Sequence, residues 1–151
     1  MSSLPADPEL RAAAIVRHML AHDVFSRWLG VEVLHVDPAR VTLRMAVRQD
    51  MTNGFGVCHG GVTFAFADSA FAFASNTAGQ VSVSIENSMT YPAPVRVGDV
   101  LLAEAEQEAS SRRLGYYRVR VTRDDGTVVA LFRGTVYQTD REHDVGHDGS
   151  E

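Results

Sequence analysis

Cysteine is nearly absent from this sequence of 151 residues, and lysine is absent altogether. The single cysteine, Cys58, excludes an intramolecular disulfide and a zinc site built from several thiolates, and it fits a reducing compartment. All 14 basic residues are arginine, against 19 acidic residues, and the formal net charge is −5. This balance argues against a general nucleic-acid-binding protein.

Long hydrophobic runs are also missing. No stretch approaches the ~18 apolar residues that a membrane-spanning helix needs. The first residues show no basic segment followed by an apolar one, so we expect no secretory signal and a cytoplasmic protein. The chain is 45% hydrophobic and 22% charged, which is typical of a globular protein of one domain.

Helical periodicity is found in three segments of the chain. Residues 7–22 have apolar side chains at helical spacing, with Asp7 as a cap, and residues 22–30 form a shorter helical segment that ends at Gly30. The third helix, residues 61–77, is apolar around nearly its whole circumference. Such a helix is buried on all sides, so we expect a sheet to wrap around it and another subunit to cover any remaining face.

Six other segments alternate between apolar and polar residues and are predicted as strands; they are residues 31–37, 40–48, 81–91, 100–109, 114–123 and 127–138. The last four follow one another without helices between them, which predicts an α+β fold with an antiparallel sheet. We expect an N-terminal helical segment over residues 1–30, one domain over residues 31–138, and a disordered tail over residues 139–151.

A carboxylate, Asp68, lies in the middle of the apolar helix. Burying an unpaired carboxylate costs several kcal/mol, so this residue requires an explanation. One interpretation is structural, with Asp68 bonded to a nearby hydroxyl, a backbone donor or a distant arginine. The other is catalytic, and the glycine-rich loop that precedes the helix favours it.

The helix start carries two glycines, Gly60 and Gly61, which allow a ligand to approach the backbone closely. The N–H groups of a first helical turn lack intrahelical partners and suit an oxyanion or a polarised carbonyl. Gly60 and Asp68 are eight residues apart, or about 12 Å along a helix. One carbonyl cannot contact both within a chain, which predicts a site shared between two chains with antiparallel helices.

The spacing Asn53-x5-His59-Gly60-Gly61-x6-Asp68-Ser69-Ala70 resembles that of the hotdog-fold acyl-CoA thioesterases. Within them it is most similar to the phenylacetate-degradation branch, the hydroxyphenylacetyl-CoA thioesterases. The resemblance covers residues 25–137, including the later segments 91–94, 97–99 and 130–134. It implies five to six antiparallel strands around one long helix, and a homodimer with shared active sites that pairs again into a tetramer.

The resemblance also implies roles for individual residues. Asp68 would be the catalytic nucleophile or general base, and the Gly60 N–H of the other subunit would polarise the thioester carbonyl. Asn53 would position the attacking water or the thioester, and His59 would orient the loop or the carbonyl. Ser84 matches a position at which some relatives have a helping hydroxyl. From the residues themselves, a solvated strand face explains Ser84 together with its same-face neighbours Ser82, Glu86, Ser88 and Thr90.

Further candidates concern substrate binding. Gly61 belongs to the loop that a ligand would approach, and Arg112 and Arg113 could contact the phosphates of coenzyme A, or form a solvated hairpin loop. Arg118, Arg120 and Arg133 are further options for the same role. The histidine pairs are interpreted as solvated and not as metal ligands; they are His18 with His22 and His143 with His147.

We therefore expect a thioesterase that releases an aryl carboxylic acid and coenzyme A, with no metal or redox cofactor. Two alternatives stay open. A hotdog enoyl-CoA hydratase or dehydratase would pair His59 with Asp68 across the dimer. A non-catalytic acyl-CoA-binding module would have the fold without the reaction.

Overall fold

Three α-helices and six strands form the part of the chain that the computed structural model describes, residues 4–146. The helices are α1 (Pro8–His22), α2 (Val24–Leu29) and α3 (Gly60–Asn76), with a short 3-10 turn at Gln49–Met51. The strands are β1 (Glu32–Asp37), β2 (Arg40–Ala46), β3 (Gln80–Thr90), β4 (Val100–Ser110), β5 (Leu114–Arg123) and β6 (Val128–Glu142). They form one antiparallel sheet in the order β1-β2-β4-β5-β6-β3. The predicted α+β architecture, with an N-terminal helix, is confirmed.

The central helix α3 lies in the concave face of this sheet. Its phenylalanines Phe66, Phe71 and Phe73 are fully buried against the inward-facing side chains of the strands. α1 and α2 pack against another side of α3. A stripe at helical spacing stays only half-buried within the chain; it consists of Phe64, Ala65, Asp68 and Ala72. The expectation that α3 is enclosed is therefore met except along this stripe and at the first turn, where Gly60 and Val62 are half-buried and Gly61 is exposed.

The 15-residue helix α1 and the shorter α2 lie within their predicted ranges, residues 7–22 and 22–30. The Asp7 carboxylate accepts a hydrogen bond of 2.9 Å from Leu10 N, and the Asp23 carboxylate accepts one of 2.9 Å from Ser26 N. Gly30, in the left-handed region at φ 78°, ends α2. These caps fix α2 where it meets α3.

The strand β3 forms one edge of the sheet and is bulged. Its register against β6 shifts between Ser84 and Glu86, which pair with the adjacent residues Val136 and Thr135. Ile85 is therefore an extra residue on β3. Such a bulge changes which side chains face the core on either side of it.

The C-terminal boundary differs from the prediction. β6 continues to Glu142, and His143 then donates from its backbone N–H to Gly79 O at 2.8 Å. The His143 ring is half-buried and bonds to Asn76 Oδ1 at 2.7 Å, so the prediction of a solvated histidine in a disordered tail is wrong for residues 139–143. His147 lies outside the described residues. Between residues 4 and 146 no helix is long and apolar enough to cross a membrane.

Candidate active site

Asp68 is half-buried and faces the edge strand β3. Its Oδ1 accepts a hydrogen bond of 3.3 Å from Asn87 Nδ2, and Asn87 Oδ1 accepts one of 2.8 Å from Ser84 Oγ. Burial raises the pKa of Asp68, the negative charge of Asp23 raises it further, and the Asn87 hydrogen bond opposes both. Within residues 4–146 no cation forms an ion pair with this carboxylate. A poorly solvated carboxylate of this kind is available as a base or a nucleophile.

A buried hydroxyl pair links the start of α2 to α3 beside Asp68. Ser26 Oγ donates to Asp23 Oδ2 at 2.6 Å and lies 2.7 Å from Ser69 Oγ. Because the single hydroxyl hydrogen of Ser26 goes to the carboxylate, Ser69 is the donor in the second hydrogen bond. These hydrogen bonds fix the Asp23 carboxylate at the start of α2, from where its charge raises the pKa of Asp68.

The bulge in β3 turns Ser84 and Asn87 towards the same face of the sheet. Ser84 pairs with Val136 and Asn87 with Gly134, and both of these β6 residues are buried on the helix side. Glu86, Ser88 and Thr90 pair with β6 residues that face away from the helix, namely Thr135, Arg133 and Leu131. The bulge thus separates Ser84 from these three residues, so the single face predicted for all of them is wrong, whereas Ser84 itself is exposed, as predicted for a solvated position.

The start of α3 is capped by His59. Its Nδ1 accepts a hydrogen bond of 2.8 Å from Gly61 N, which places the proton of the neutral ring on Nε2. A Cβ on Gly61 would lie 2.9 Å from His59 Nδ1, so this cap requires glycine. The prediction that the first-turn N–H groups lack partners is wrong for Gly61 and for Val62, whose N–H donates to His59 O at 2.9 Å. The prediction holds for Gly60, whose N–H donates to no acceptor within the described part of the chain.

Tyr91 covers Gly60. Its hydroxyl donates to Gly60 O at 2.9 Å, and a Cβ on Gly60 would lie 3.4 Å from the ring. This contact fixes the first residue of α3 from the end of β3, and it leaves the Gly60 N–H as the donor that a ligand could use.

The loop before α3 is organised by Asn53. Its Oδ1 accepts hydrogen bonds from Phe55 N at 2.9 Å and Val57 N at 3.4 Å. The side-chain oxygen is thus committed to the loop, and Nδ2 is the group left for a water or a thioester. At the loop tip, Phe55 is 92% exposed.

Gly60 and Asp68 lie on one continuous helix, as the sequence predicts. Their separation along the axis is therefore about 12 Å. Within one chain the structure brings Asp68 together with Ser84 and Asn87, and it brings Gly60 together with His59 and Tyr91. It does not bring the two groups together.

The predicted phosphate-binding arginines differ in their surroundings. Arg113 Nη1 lies 2.7 Å from Asp140 Oδ1 and also donates to Gln138 O at 3.4 Å. Arg112 is exposed, and it forms no ion pair with any residue between 4 and 146. Of these two residues, Arg112 is the one whose guanidinium is available to an anion.

The other arginines lie on the outer face of the sheet, away from α3. Arg118, Arg120 and Arg133 line a groove of about 820 Å³ on this face. Arg118 pairs with Glu106, and Arg133 with Glu108 at 3.5 Å. In the same chain, the sheet therefore lies between these guanidinium groups and α3.

Sequence reasoning missed Asn87, Asp23 and Tyr91. Asn87 and Tyr91 contact their targets across a long stretch of chain, 19 residues for Asn87 to Asp68 and 31 for Tyr91 to Gly60. Asp23 acts on Asp68 through its charge. The Tyr91 position lies in a segment that contributed to the family resemblance, and this was its only sequence signal. Asn87 gave none, because a regular strand would not place it beside Ser84.

Comparisons with known proteins agree with this geometry. The family model of the thioesterase superfamily matches residues 55–130. The acyl-coenzyme A thioesterase PaaI of Escherichia coli K12 is 33% identical over 116 residues, which are 77% of this chain and 83% of that protein.

Solved structures give the same result. The structure of the E. coli PaaI protein from the phenylacetic acid degradation operon matches with a TM-score of 0.88 and 29% identity, over 90% of this chain and 99% of that chain. A mutant of the phenylacetic acid degradation protein PaaI from Thermus thermophilus matches with a TM-score of 0.75 and 42% identity, over 78% and 100%. The resemblance inferred from the motif is thereby confirmed: the chain belongs to the hotdog-fold thioesterase superfamily and is a thioester hydrolase.

Proposed function

We propose that this protein hydrolyses small aryl-acyl-CoA thioesters, of the hydroxyphenylacetyl-CoA type, in phenylacetate catabolism. The similarity to an E. coli acyl-coenzyme A thioesterase supports coenzyme A as the thiol. The observation that carries the hydrolytic role is Asp68, a half-buried carboxylate with no cationic partner in residues 4–146, facing an open sheet edge.

The aryl preference is supported by an aromatic side chain next to this carboxylate. Phe64 lies one helical turn before Asp68 on the same half-buried stripe of α3. Its ring packs edge-on against Phe132, with 5.5 Å between the centroids, and part of it stays uncovered. An aromatic acyl group could stack or pack edge-on against such a ring.

In the proposed reaction, Asp68 either takes a proton from the attacking water or adds to the thioester carbonyl itself. Both routes form a tetrahedral oxyanion, which collapses to expel the thiolate of coenzyme A. In the base route, collapse releases the acid directly and Asp68 returns the proton to the thiolate. In the nucleophilic route, collapse leaves a mixed anhydride on Asp68, which a water molecule then hydrolyses to the free acid. We propose that the oxyanion is stabilised by the Gly60 N–H of a second subunit, because the Gly60 N–H of the same chain is too far away. Asn53 Nδ2 would hold the water or the thioester.

A homodimer that pairs again into a tetramer completes the proposal. The edge strand β3 exposes Val83 and Ile85 at 42% and 58%, and its outer hydrogen-bonding groups have no strand partner within residues 4–146. A long edge strand with exposed apolar side chains is suited to pairing with a second copy. Such pairing would also cover the half-buried stripe of α3. The exposed Arg112 is the proposed contact to the phosphates of coenzyme A.

The hydratase alternative requires His59 as an acid or base that acts with Asp68. In the structure His59 Nδ1 is engaged by Gly61 N, so that only Nε2 could serve. This contact supports a positioning role for His59 and therefore favours hydrolysis.

The test is a thioesterase assay over hydroxyphenylacetyl-CoA, phenylacetyl-CoA and straight-chain acyl-CoA substrates of similar size, with an enoyl-CoA hydration assay beside it. We expect kcat/KM for the aryl substrates to exceed that for the alkyl ones about tenfold or more. Asp68→Asn should lower kcat at least about a hundredfold, because it removes the base or nucleophile. A folded variant that keeps more than about a tenth of wild-type kcat would contradict the assignment. Coenzyme A binding without turnover would instead support a binding module.

A further inference from the structure

The Asp68 carboxylate has two oxygens in different surroundings. Oδ1 accepts the hydrogen bond from Asn87 Nδ2, whereas Oδ2 accepts none from residues 4–146. A carboxylate whose two oxygens were equally solvated could rotate and present either one. Here one oxygen is tethered to β3 and the other is left open.

We propose that Asn87 is the positioning residue of the reaction, which anchors Asp68 Oδ1 so that Oδ2 is the oxygen that reacts. This inference rests on the proposed function and deepens it. Asn87 does not touch the substrate in this scheme, and it acts through the carboxylate that it holds.

The orientation of the Asn87 amide follows from its two partners. An ionised carboxylate only accepts hydrogen bonds, so the amide must turn its NH2 group towards Asp68. Its carbonyl oxygen then faces Ser84 Oγ, which donates to it at 2.8 Å. Ser84 thereby locks the amide, and it is linked to the anchored oxygen Oδ1 through two hydrogen bonds. This gives Ser84 a role behind Asn87, in place of the direct helping role that the resemblance implies.

The backbone supports this arrangement at two points. The bulge at Ile85 brings Ser84 and Asn87, three residues apart, onto the same face, which a regular strand would not do. Directly opposite Asn87 on β6 is Gly134, which has no side chain to compete for the space beneath α3. The Asn87 side chain therefore has a fixed partner on each side and room to reach Asp68.

The charges around Asp68 make its pKa depend on the hydrogen bond from Asn87. Asp23, at the start of α2, is the charged group that raises the Asp68 pKa, and burial acts in the same direction. From α1, α2 and the six strands, no Arg or His of the described residues forms an ion pair with Asp68. The Asn87 hydrogen bond lowers the Asp68 pKa against both effects. Without it, the active anionic form would be populated only at higher pH.

The test is the pH profile of kcat/KM for the wild type, Asn87→Ala and Asn87→Asp, on the aryl-acyl-CoA that the wild type hydrolyses fastest. Removing the donor should move the acidic limb of the profile to higher pH. We expect a loss of about tenfold or more near pH 5 that shrinks to about threefold or less near pH 9. Asn87→Asp keeps the shape but replaces the donor with an anion, so its acidic limb should move further.

Two controls separate this role from a general effect on folding. Ser88→Ala changes the next residue of β3, which faces the outer groove, and should leave the profile unchanged. Ser84→Ala should shift the acidic limb of the pH profile in the same direction as Asn87→Ala but less. The Asn87 amide keeps its N–H donor to Asp68 and loses only the hydrogen bond from Ser84 that fixes its orientation. Melting temperatures of all variants check that they fold.

The outcomes distinguish the two proposals. A wild type without thioesterase activity, or an Asp68→Asn variant that keeps it, overturns the proposed function. An active, Asp68-dependent wild type whose Asn87 variants lose nothing overturns the role of Asn87. So does a loss of the same size at every pH, which would be the mark of a purely structural contact.

Discussion

At the scale of single residues, the central fact is that Asp68 is costly to the fold. Burial and the charge of Asp23 both disfavour its ionised form, and only the Asn87 amide opposes them. Natural active sites commonly contain such locally unfavourable groups, since poor solvation of a carboxylate is what makes it reactive. A structural aspartate of the same helix would be expected to have a cationic partner.

This cost predicts how the stability of the protein depends on pH. A carboxyl group whose folded-state pKa is raised binds its proton more tightly in the folded than in the unfolded chain. Stability is therefore lost as pH rises from the unfolded value, about 4, through the raised value. Asp68→Asn removes the charge without changing the shape. We expect its melting temperature to exceed that of the wild type by about 2–5 °C at pH 7.5, with the difference vanishing towards pH 4.

Asp125 provides a matched control of the opposite sign. Its carboxylate accepts a hydrogen bond of 2.9 Å from Thr127 N, and hydrogen bonding lowers its pKa. Its contribution to stability is present above the unfolded pKa and is lost as pH falls. Asp125→Asn should therefore lower the melting temperature at pH 7.5 and have less effect at pH 4. Thermal scans that give both variants the same sign would contradict the electrostatic explanation.

At the scale of elements, the fit of α3 into the curved sheet depends on small residues beneath large ones. Gly134 on β6 lies directly under the Phe71 ring, and a Cβ placed on it would come within 2.6 Å of a ring carbon. The same glycine lies opposite Asn87 on β3. The packing of the helix and the orientation of the site thus meet at one position.

We expect Gly134→Ala to lower the free energy of unfolding by about 1–3 kcal/mol, because the added methyl group overpacks a closed contact. Gly54→Ala is the control, since a Cβ there would meet nothing within 4 Å. Adding Phe71→Leu should make room, so that the double variant is less destabilised than the sum of the two single changes. Denaturant titrations measure all three effects. If the free-energy changes of Gly134→Ala and Phe71→Leu simply add, the strain does not arise from contact between these two residues.

The same elements show how far the sequence alone leads. Local patterns predict the three helices, the six strands and the carboxylate in α3, because hydrophobic period and burial cost can be read from neighbouring residues. The bulge at Ile85 cannot be predicted in this way, since it is defined by pairing with β6. If the bulge is not known, Ser84 is assigned to the same face as Glu86 and Ser88, and Asn87 is not placed beside it. The pairing of Arg113 with Asp140 is missed for the same reason, because the end of β6 was predicted as a tail.

At the scale of the whole molecule, the proposed catalytic groups lie at two different points of α3. Asp68 with Asn87 lies at its middle, and the Gly60 N–H lies at its start, about 12 Å away along the axis. A two-fold axis beside β3 would set two such helices antiparallel. Each Asp68 could then face the partner's Gly60, and two complete sites would form in a dimer.

Subunit mixing tests this arrangement. Gly60→Pro removes the N–H donor at the first helical position, where proline is tolerated and the preceding His59 already has an extended backbone at ψ 132°. Gly60→Ala is its control, because it makes the same contact with Tyr91 and keeps the donor. We expect Gly60→Pro and Asp68→Asn to be nearly inactive as homodimers, and Gly60→Ala to keep most of the activity.

In a dimer with one chain of each inactive kind, one shared site carries both changes and the other carries neither. Equal mixing makes half of the dimers mixed, so activity should return to about one quarter of the wild-type value after subunit exchange. A site built within one chain would give no recovery, because every site would then contain one of the two changes. The measurement is kcat per chain before and after exchange, with the mixed dimer verified by differently tagged chains. Mixing Gly60→Ala with Asp68→Asn supplies the reference for a pair in which every Gly60 donor is present.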